Sequence, residues 1–207
     1  SFGSVRLASG ALLLWAVLRW RHRGAHVAMR GDWVGASMLW LYVAGFSFAY
    51  LTLAAGTGAL ILFGCVQLTM LSVGWARGER FTAIAWIGFV LAVAGLVALL
   101  LPGLTAPPLA GALLMATAGI AWGVYSLRGR NAGEPVAATA GNFIRATPLA
   151  LALSLVLAGS SHASAQGVAL AVASGALTSG LGYVIWYAAL PQLTALRAAT
   201  VQLAVPP

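Results

Sequence analysis

The chain alternates long apolar stretches with short polar connections: seven complete stretches and the start of an eighth. Each of about 20 residues, they are long enough as helices to cross a hydrocarbon core of roughly 30 Å. They cover Phe2–Trp20, Trp33–Leu53, Thr57–Ala76, Thr82–Leu101, Pro107–Leu127, Val136–Ala158 and Gly167–Leu190, and the eighth begins near Leu193. The runs are continuously apolar instead of alternating with period two, which predicts membrane helices over the strands of a membrane barrel. The connections are too short for an extramembrane domain. The first run is too long, and lacks a preceding basic segment, for a cleavable signal peptide.

Composition agrees with a polytopic all-α membrane protein. The 207 residues are 61% hydrophobic and 7% charged, with a mean hydropathy of +0.95. All eleven basic residues other than histidine are arginine. Nine lie in or beside alternate connections: Arg19, Arg21, Arg23 and Arg30 in the first, Arg77 and Arg80 in the third, Arg128 and Arg130 in the fifth, and Arg197 after the seventh. The second, fourth and sixth connections carry no charge. Short positive loops stay cytoplasmic, so one orientation satisfies all of them. A net charge of +8 would suggest nucleic acid in a soluble chain; here it belongs to cytoplasmic loops and anionic headgroups, and no nucleic-acid partner is expected. Cys65 is the single cysteine, so no internal disulfide is possible.

Arg6 and Arg145 are the two arginines inside apolar runs, 145 − 6 = 139 residues apart. The same offset lays Phe48 on Tyr187, Ala49 on Ala188, Leu51 on Leu190, Ala59 on Ala198 and Val66 on Val205. It carries the first three runs onto the sixth, seventh and eighth. An offset of five helices, an odd number, inverts the halves in the membrane. The expected whole is therefore two inverted five-helix repeats: ten transmembrane helices when complete, about eight of them here, with both termini cytoplasmic. Residues 1–102 form a first repeat lacking its first helix, and 103–207 a second lacking the end of its fourth helix and its fifth. Roughly one helix of about 33 residues is expected upstream and about 34 residues downstream.

The stretch "GTGALILFGCVQLTMLSVGWARGERFTAIAWIGFVLAVAGLVALLLPG" (Gly56–Gly103) has a small-residue helix, a Gly78-Glu79 turn and a following helix with Trp86, Gly88, Leu91 and Gly95 in W-x-G-x-x-L-x-x-x-G spacing. It resembles the end of an EamA-type repeat of the drug/metabolite transporter superfamily. The second half is similar, from "AGIAWGVYSLRGR" to "LGYVIWYAALPQLTALRAATVQLAVPP". The resemblance implies inverted five-helix halves and export of small metabolites, with the amino-acid exporter branch preferred. The second Gly-Glu turn and the first and last helices of that pattern are not in this sequence, so no residue on them is assigned.

Candidate chemistry is sparse. Asp32, Glu79 and Glu134, the three acidic residues, all lie at run ends or in connections. Hydrophobic-cation carriers commonly use a buried carboxylate, so that substrate class is disfavoured. Arg145, about 15 Å past Pro135 by helical rise, would lie near the midplane, and Arg6 is its repeat-mate. Either could anchor a carboxylate or phosphate, or be structural, capping helix carbonyls or binding Asn142. Aromatics recur at helical spacing: Tyr42, Phe46 and Tyr50 on the second run, Trp122 and Tyr125 on the fifth, Tyr183, Trp186 and Tyr187 on the seventh. They line a cavity or sit in an interfacial belt, the latter suiting Trp15, Trp20, Trp33 and Trp75. Gln67, Gln202 and Thr178 offer hydrogen bonds to a substrate or between helices.

Gly31 with Gly35, and Gly119 with Gly123, suit close helix packing. Pro148, Pro206 and Pro207 interrupt helices. His22 and His26 sit among arginines, and Ser160, Ser161 and His162 have no acid nearby. With no phosphate loop, Schiff-base lysine or carboxylate pair, neither an enzyme nor a cofactor is expected. The sequence predicts a secondary carrier of the bacterial cytoplasmic membrane, exporting small metabolites such as amino acids by alternating access. The alternatives are a multidrug or organic-anion carrier and, more remotely, a membrane-embedded enzyme or a channel. Coupling, substrate identity and oligomeric state stay open.

Overall fold

A computed structural model describes residues 2–21, 30–101, 107–130, 133–160 and 164–204. His22, His26, Ser161, His162, Pro206 and Pro207 lie outside these. Every regular element among the described residues is helical, and they contain no strand. The elements are α1 (Phe2–Arg21), α2 (Trp33–Ala49), α3 (Ala55–Ala76), α4 (Ala83–Leu100), α5 (Leu109–Gly129), α6 (Pro135–Val156), α7 (Ala165–Ala173), α8 (Gly182–Ala189) and α9 (Ala195–Gln202). Between α7 and α8 the backbone continues as a π-helix over Ser174–Leu181. α7, the π segment and α8 thus form one apolar span, Ala165–Gln192.

Among the described residues, five spans are long and apolar enough to cross a membrane: Phe2–Arg21, Ala55–Ala76, Leu109–Gly129, Pro135–Val156 and Ala165–Gln192. The shorter apolar helices Trp33–Ala49 and Ala83–Gly95 accompany them. The architecture is that of a multi-pass helical membrane protein, whose backbone polar groups are met within each helix.

Helix starts follow local capping chemistry. Thr82, Glu134, Ser164 and Thr194 each accept a backbone N–H three residues on, at α4, α6, α7 and α9 respectively. Pro135 occupies the first turn of α6, where its missing N–H costs nothing. The second run ends earlier than its hydrophobicity indicates: α2 stops at Ala49 and the chain turns through Tyr50–Leu53.

The chain divides into two compact units. Unit 1 comprises residues 1–40 and 128–189, and unit 2 residues 41–127 and 190–207. Each draws helices from both sequence halves. In unit 1, α1 lies antiparallel to α6: the Ser4 hydroxyl donates to the Ala150 carbonyl at 2.9 Å, and two turns on Gly10 faces Phe143. The π segment crosses α1 at backbone contact, since a Cβ on Gly175 would fall 2.0 Å from the Arg6 carbonyl oxygen. In unit 2, Ala49, Leu53, Leu62, Phe63, Met115, Ala118 and Leu203 form an apolar core.

Candidate functional site

Unit 2 gathers the neutral candidates. Tyr42, Phe46 and Tyr50 follow one another along a single face, with ring centroids 5.7 Å and 4.8 Å apart. From α5, Trp122 stands 5.0 Å from Tyr42 and 5.7 Å from Tyr125. Five rings therefore connect in tilted and edge contacts, the geometry that aromatic quadrupoles favour.

Close approach of α5 to α3 depends on two glycines. A Cβ on Gly119 would meet the Leu62 carbonyl oxygen at 2.5 Å, and one on Gly123 would meet Thr69 at 2.9 Å.

The polar edge of this array comes from α3 and α9. The Trp122 indole N–H donates to Gln202 Oε1. The Gln202 amide nitrogen donates to Met70 Sδ at 3.1 Å, and that of Gln67 to the Ala199 carbonyl at 2.8 Å. Both glutamines are almost fully buried, at 3% and 4% exposure. Gln67 Oε1 is buried without a hydrogen-bond partner among the described residues. Turning the amide over would set that oxygen against the Ala199 carbonyl, so the unmet acceptor is intrinsic to the arrangement. Such a group costs about 1–3 kcal/mol. Glu79 is committed elsewhere, accepting the Ala195 N–H at 2.7 Å where α9 begins.

Unit 1 holds the charged candidates. Arg6 is buried, its Nε donating to Ser179 Oγ at 2.8 Å and its Nη2 to Tyr183 Oη at 3.2 Å. The π segment supplies Ser179, and Tyr183 follows on α8 with its ring edge-on to Phe143. Tyr187 is 1% exposed and packs on Gly129, where a Cβ would fall 2.2 Å from its ring. Trp186 is half-buried. Thr178 is exposed, with its hydroxyl donating back to the Ser174 carbonyl at 2.7 Å.

Arg145 lies midway along α6, the span Pro135–Val156. Its Nη1 donates back to the Gly141 carbonyl at 2.9 Å. The next residue, Asn142, accepts the backbone N–H of Asp32 through Oδ1 at 3.1 Å. Asp32 precedes α2, so the first turns of α6 reach past the level where α2 starts. The guanidinium points toward that end, as long basic side chains do when they snorkel. Gly31 and Gly35 make this docking possible: a Cβ on either would lie about 3 Å from Asn142.

Asp32 also pairs with Arg128 at 2.9 Å and accepts the Gly35 N–H at 2.9 Å. Burial pushes its carboxyl pKa up. The Gly35 N–H, the charge and hydrogen bond of Arg128 and the Val34 N–H outweigh that and hold it below the usual 3.8. Arg21 and Glu134 form a longer pair at 3.8 Å.

The structure thus joins Tyr42, Phe46, Tyr50, Trp122 and Tyr125 to Gln202, places Gln67 on the same helix pair, and sets Arg6 with Tyr183. Arg145 and Thr178 bond carbonyls of their own segments instead, at Gly141 and Ser174. Sequence reasoning overlooked Met70, whose thioether reads as ordinary core, and Ser179. A small polar cluster at Ser174-Gly175 and Thr178-Ser179-Gly180 inside an apolar run was the available signal for the latter.

No family model matches the chain. The uncharacterized protein PA1977 of Pseudomonas aeruginosa strain PAO1 is 55% identical over 206 residues, covering 100% of this chain and 71% of that protein. A solved structure, described as a crystal structure of a protein, aligns with a TM-score of 0.80 over 99% of this chain and 74% of that one. At 20% identity, that likeness carries the fold alone.

Proposed function

The chain belongs to the family of the Pseudomonas aeruginosa protein PA1977, and within it we propose a secondary transporter exporting small metabolites, amino acids foremost, by alternating access. The observation that supports this most is the unmet Gln67 acceptor beside the Trp122–Gln202 pair and its aromatic rings. That set offers flat apolar faces to a side chain and buried amides to an ammonium or carboxylate, the composition of a small-molecule site. As the site stands, the amides bond protein groups, so a substrate must exchange those bonds for its own. The EamA-type resemblance of the sequence is part of this proposal, as are the inverted repeats.

Counterflow of radiolabelled amino acids in liposomes containing the full-length protein tests it. Trp122→Ala removes a ring worth about 0.5–1.5 kcal/mol beyond its area. Apparent affinity should therefore fall roughly threefold to tenfold, at about 1.4 kcal/mol per decade. Gln67→Leu should lose a similar factor, while the exposed Trp15→Ala and Trp75→Ala should change nothing. Identical behaviour of all four variants would reject the site.

The proposal includes residence in a bacterial cytoplasmic membrane with the arginine connections inside. In a Cys65→Ala background, Gly159→Cys should react with an impermeant maleimide on intact cells and Arg80→Cys should not. Gly159 has open space around it and Arg80 is exposed. Gly129→Cys, the obvious inner position, would collide with Tyr187. Labelling of Arg80→Cys from outside would reverse the orientation.

A further inference from the structure

A concave site lies within unit 2 between α4 and α9. The start of α4 and the face of α9 enclose a groove of about 420 Å³, within the size range of small-molecule pockets. Ile84, Gly88, Phe89, Leu196 and Val201 supply its apolar length. Thr82, Thr200 and Arg197 supply its polar parts.

These polar groups are not equivalent. Thr200 already donates its hydroxyl to the Leu196 carbonyl at 2.9 Å. Thr82 accepts the Ala85 N–H, which leaves its own O–H proton to give. The Arg197 guanidinium is exposed and makes no ion pair or hydrogen bond among the described residues. Unit 2 carries Arg77, Arg80 and Arg197 against a single carboxylate, Glu79, whose Oε2 is taken by the Ala195 N–H. An unpaired cation therefore heads an apolar trough, and the complementary molecule is an anion with a long apolar body.

We propose that this groove binds one anionic phospholipid, its phosphate held by Arg197 and the Thr82 hydroxyl and an acyl chain lying along Ile84, Gly88, Phe89 and Val201. The fork of the guanidinium matches phosphate oxygens. Arg77 and Arg80, on the connection leading into Thr82, add to the positive field at the same end. An apolar trough without a cation would take any lipid. A cation without a trough would take any anion. The groove has both, which selects headgroup charge and chain together.

Native mass spectrometry of the full-length protein, titrated with phosphatidylglycerol or phosphatidylcholine, tests this. The wild type should retain phosphatidylglycerol with at least fivefold higher affinity, the factor equivalent to about 1 kcal/mol per arginine near an anionic surface. Arg197→Gln should remove that preference while leaving the protein folded, because its guanidinium makes no ion pair or hydrogen bond among the described residues. Gly88→Leu should weaken both lipids by filling the trough. Gly95→Leu, on the same helix but outside the groove lining and also in open space, should weaken neither. Equal retention of the two lipids by the wild type would overturn the proposal, as would an undiminished preference in Arg197→Gln. Competition by millimolar inorganic phosphate alone would overturn it too, since the site would then hold a free anion.

Discussion

Unit 1 surrounds its cations with fixed partners: Arg6 with Ser179 and Tyr183, Arg128 with Asp32, Arg145 with the Gly141 carbonyl. Unit 2 instead places neutral amides among rings and leaves the Gln67 Oε1 acceptor unmet among the described residues. A buried guanidinium such as Arg6, already bonded through Nε and Nη2 to protein groups, has less left for a ligand, and breaking such an arrangement costs the fold. A buried amide with a free oxygen tolerates exchange of partners, because each neutral bond is worth only about 0.5–1.5 kcal/mol net. Charge is thus the conspicuous feature of the sequence and the framework of unit 1, while the proposed ligand site rests on the quieter amides and aromatics of unit 2.

The largest effect that bears on this contrast is steric. Gly175 of the π segment lies so close to α1 that a Cβ would collide with the backbone of Arg6, which cannot swing aside. Gly175→Val should destabilise the protein by about 3 kcal/mol or more, the upper end for overpacking. The control Gly95→Val, whose Cβ meets nothing, should stay within about 0.5 kcal/mol. Thermal unfolding in detergent, followed by tryptophan fluorescence, measures both. A stable Gly175→Val protein would show that unit 1 is looser than its contacts indicate.

Next in size is the difference between the two intramembrane arginines. Arg6→Gln gives up charge-assisted bonds worth about 1.5–3 kcal/mol each. It should lower the yield of folded protein markedly. Arg145→Gln gives up one bond to its own helix and should cost below about 1 kcal/mol. In counterflow it should slow an amino acid and the corresponding amide equally, because the guanidinium is turned toward the end of α6. A selective loss of the carboxylate-bearing substrate would place Arg145 in the ligand site and erase the contrast between the units.

That pair of arginines also marks where the sequence was legible. Apolar runs located every helix to within a few residues, because length and continuity of hydrophobicity are local properties. The i, i+4 spacing of Tyr42, Phe46 and Tyr50 put three rings on one face, as found. How Arg145 is bonded depends on the folded chain: its Nη1 returns to the Gly141 carbonyl one turn back, and the contact between Asn142 and Asp32 shows that α6 reaches beyond the start of α2. Likewise the early end of α2, the Trp122–Gln202 bond and the packing of Tyr187 on Gly129 depend on residues distant in sequence. The π segment lies between: its small polar residues are visible in the sequence, while its hydrogen-bond register and its close approach to α1 are seen in the structure.

The smallest expected effect concerns Asp32, where unit 1 pairs its cations most openly. Its carboxyl pKa is depressed in the folded chain, so the sign of the linkage is fixed. A group with a folded pKa below its unfolded value contributes stability that is complete above the unfolded value, here the usual 3.8, and is lost as pH falls through the lower folded one. Between about pH 8 and pH 5 the carboxylate stays ionised in both states. The difference in thermal midpoint between wild type and Asp32→Asn should therefore be constant across that range. It should be small, since the pair is half exposed and solvent screens it. Below the folded value, which lies under the usual 3.8, the two midpoints should converge as the wild-type carboxyl protonates. Convergence already near pH 6 would mean that burial, not Arg128 and the backbone N–H groups, dominates at Asp32. The cations of unit 1 would then lack the fixed counter-charge that sets that unit apart from unit 2.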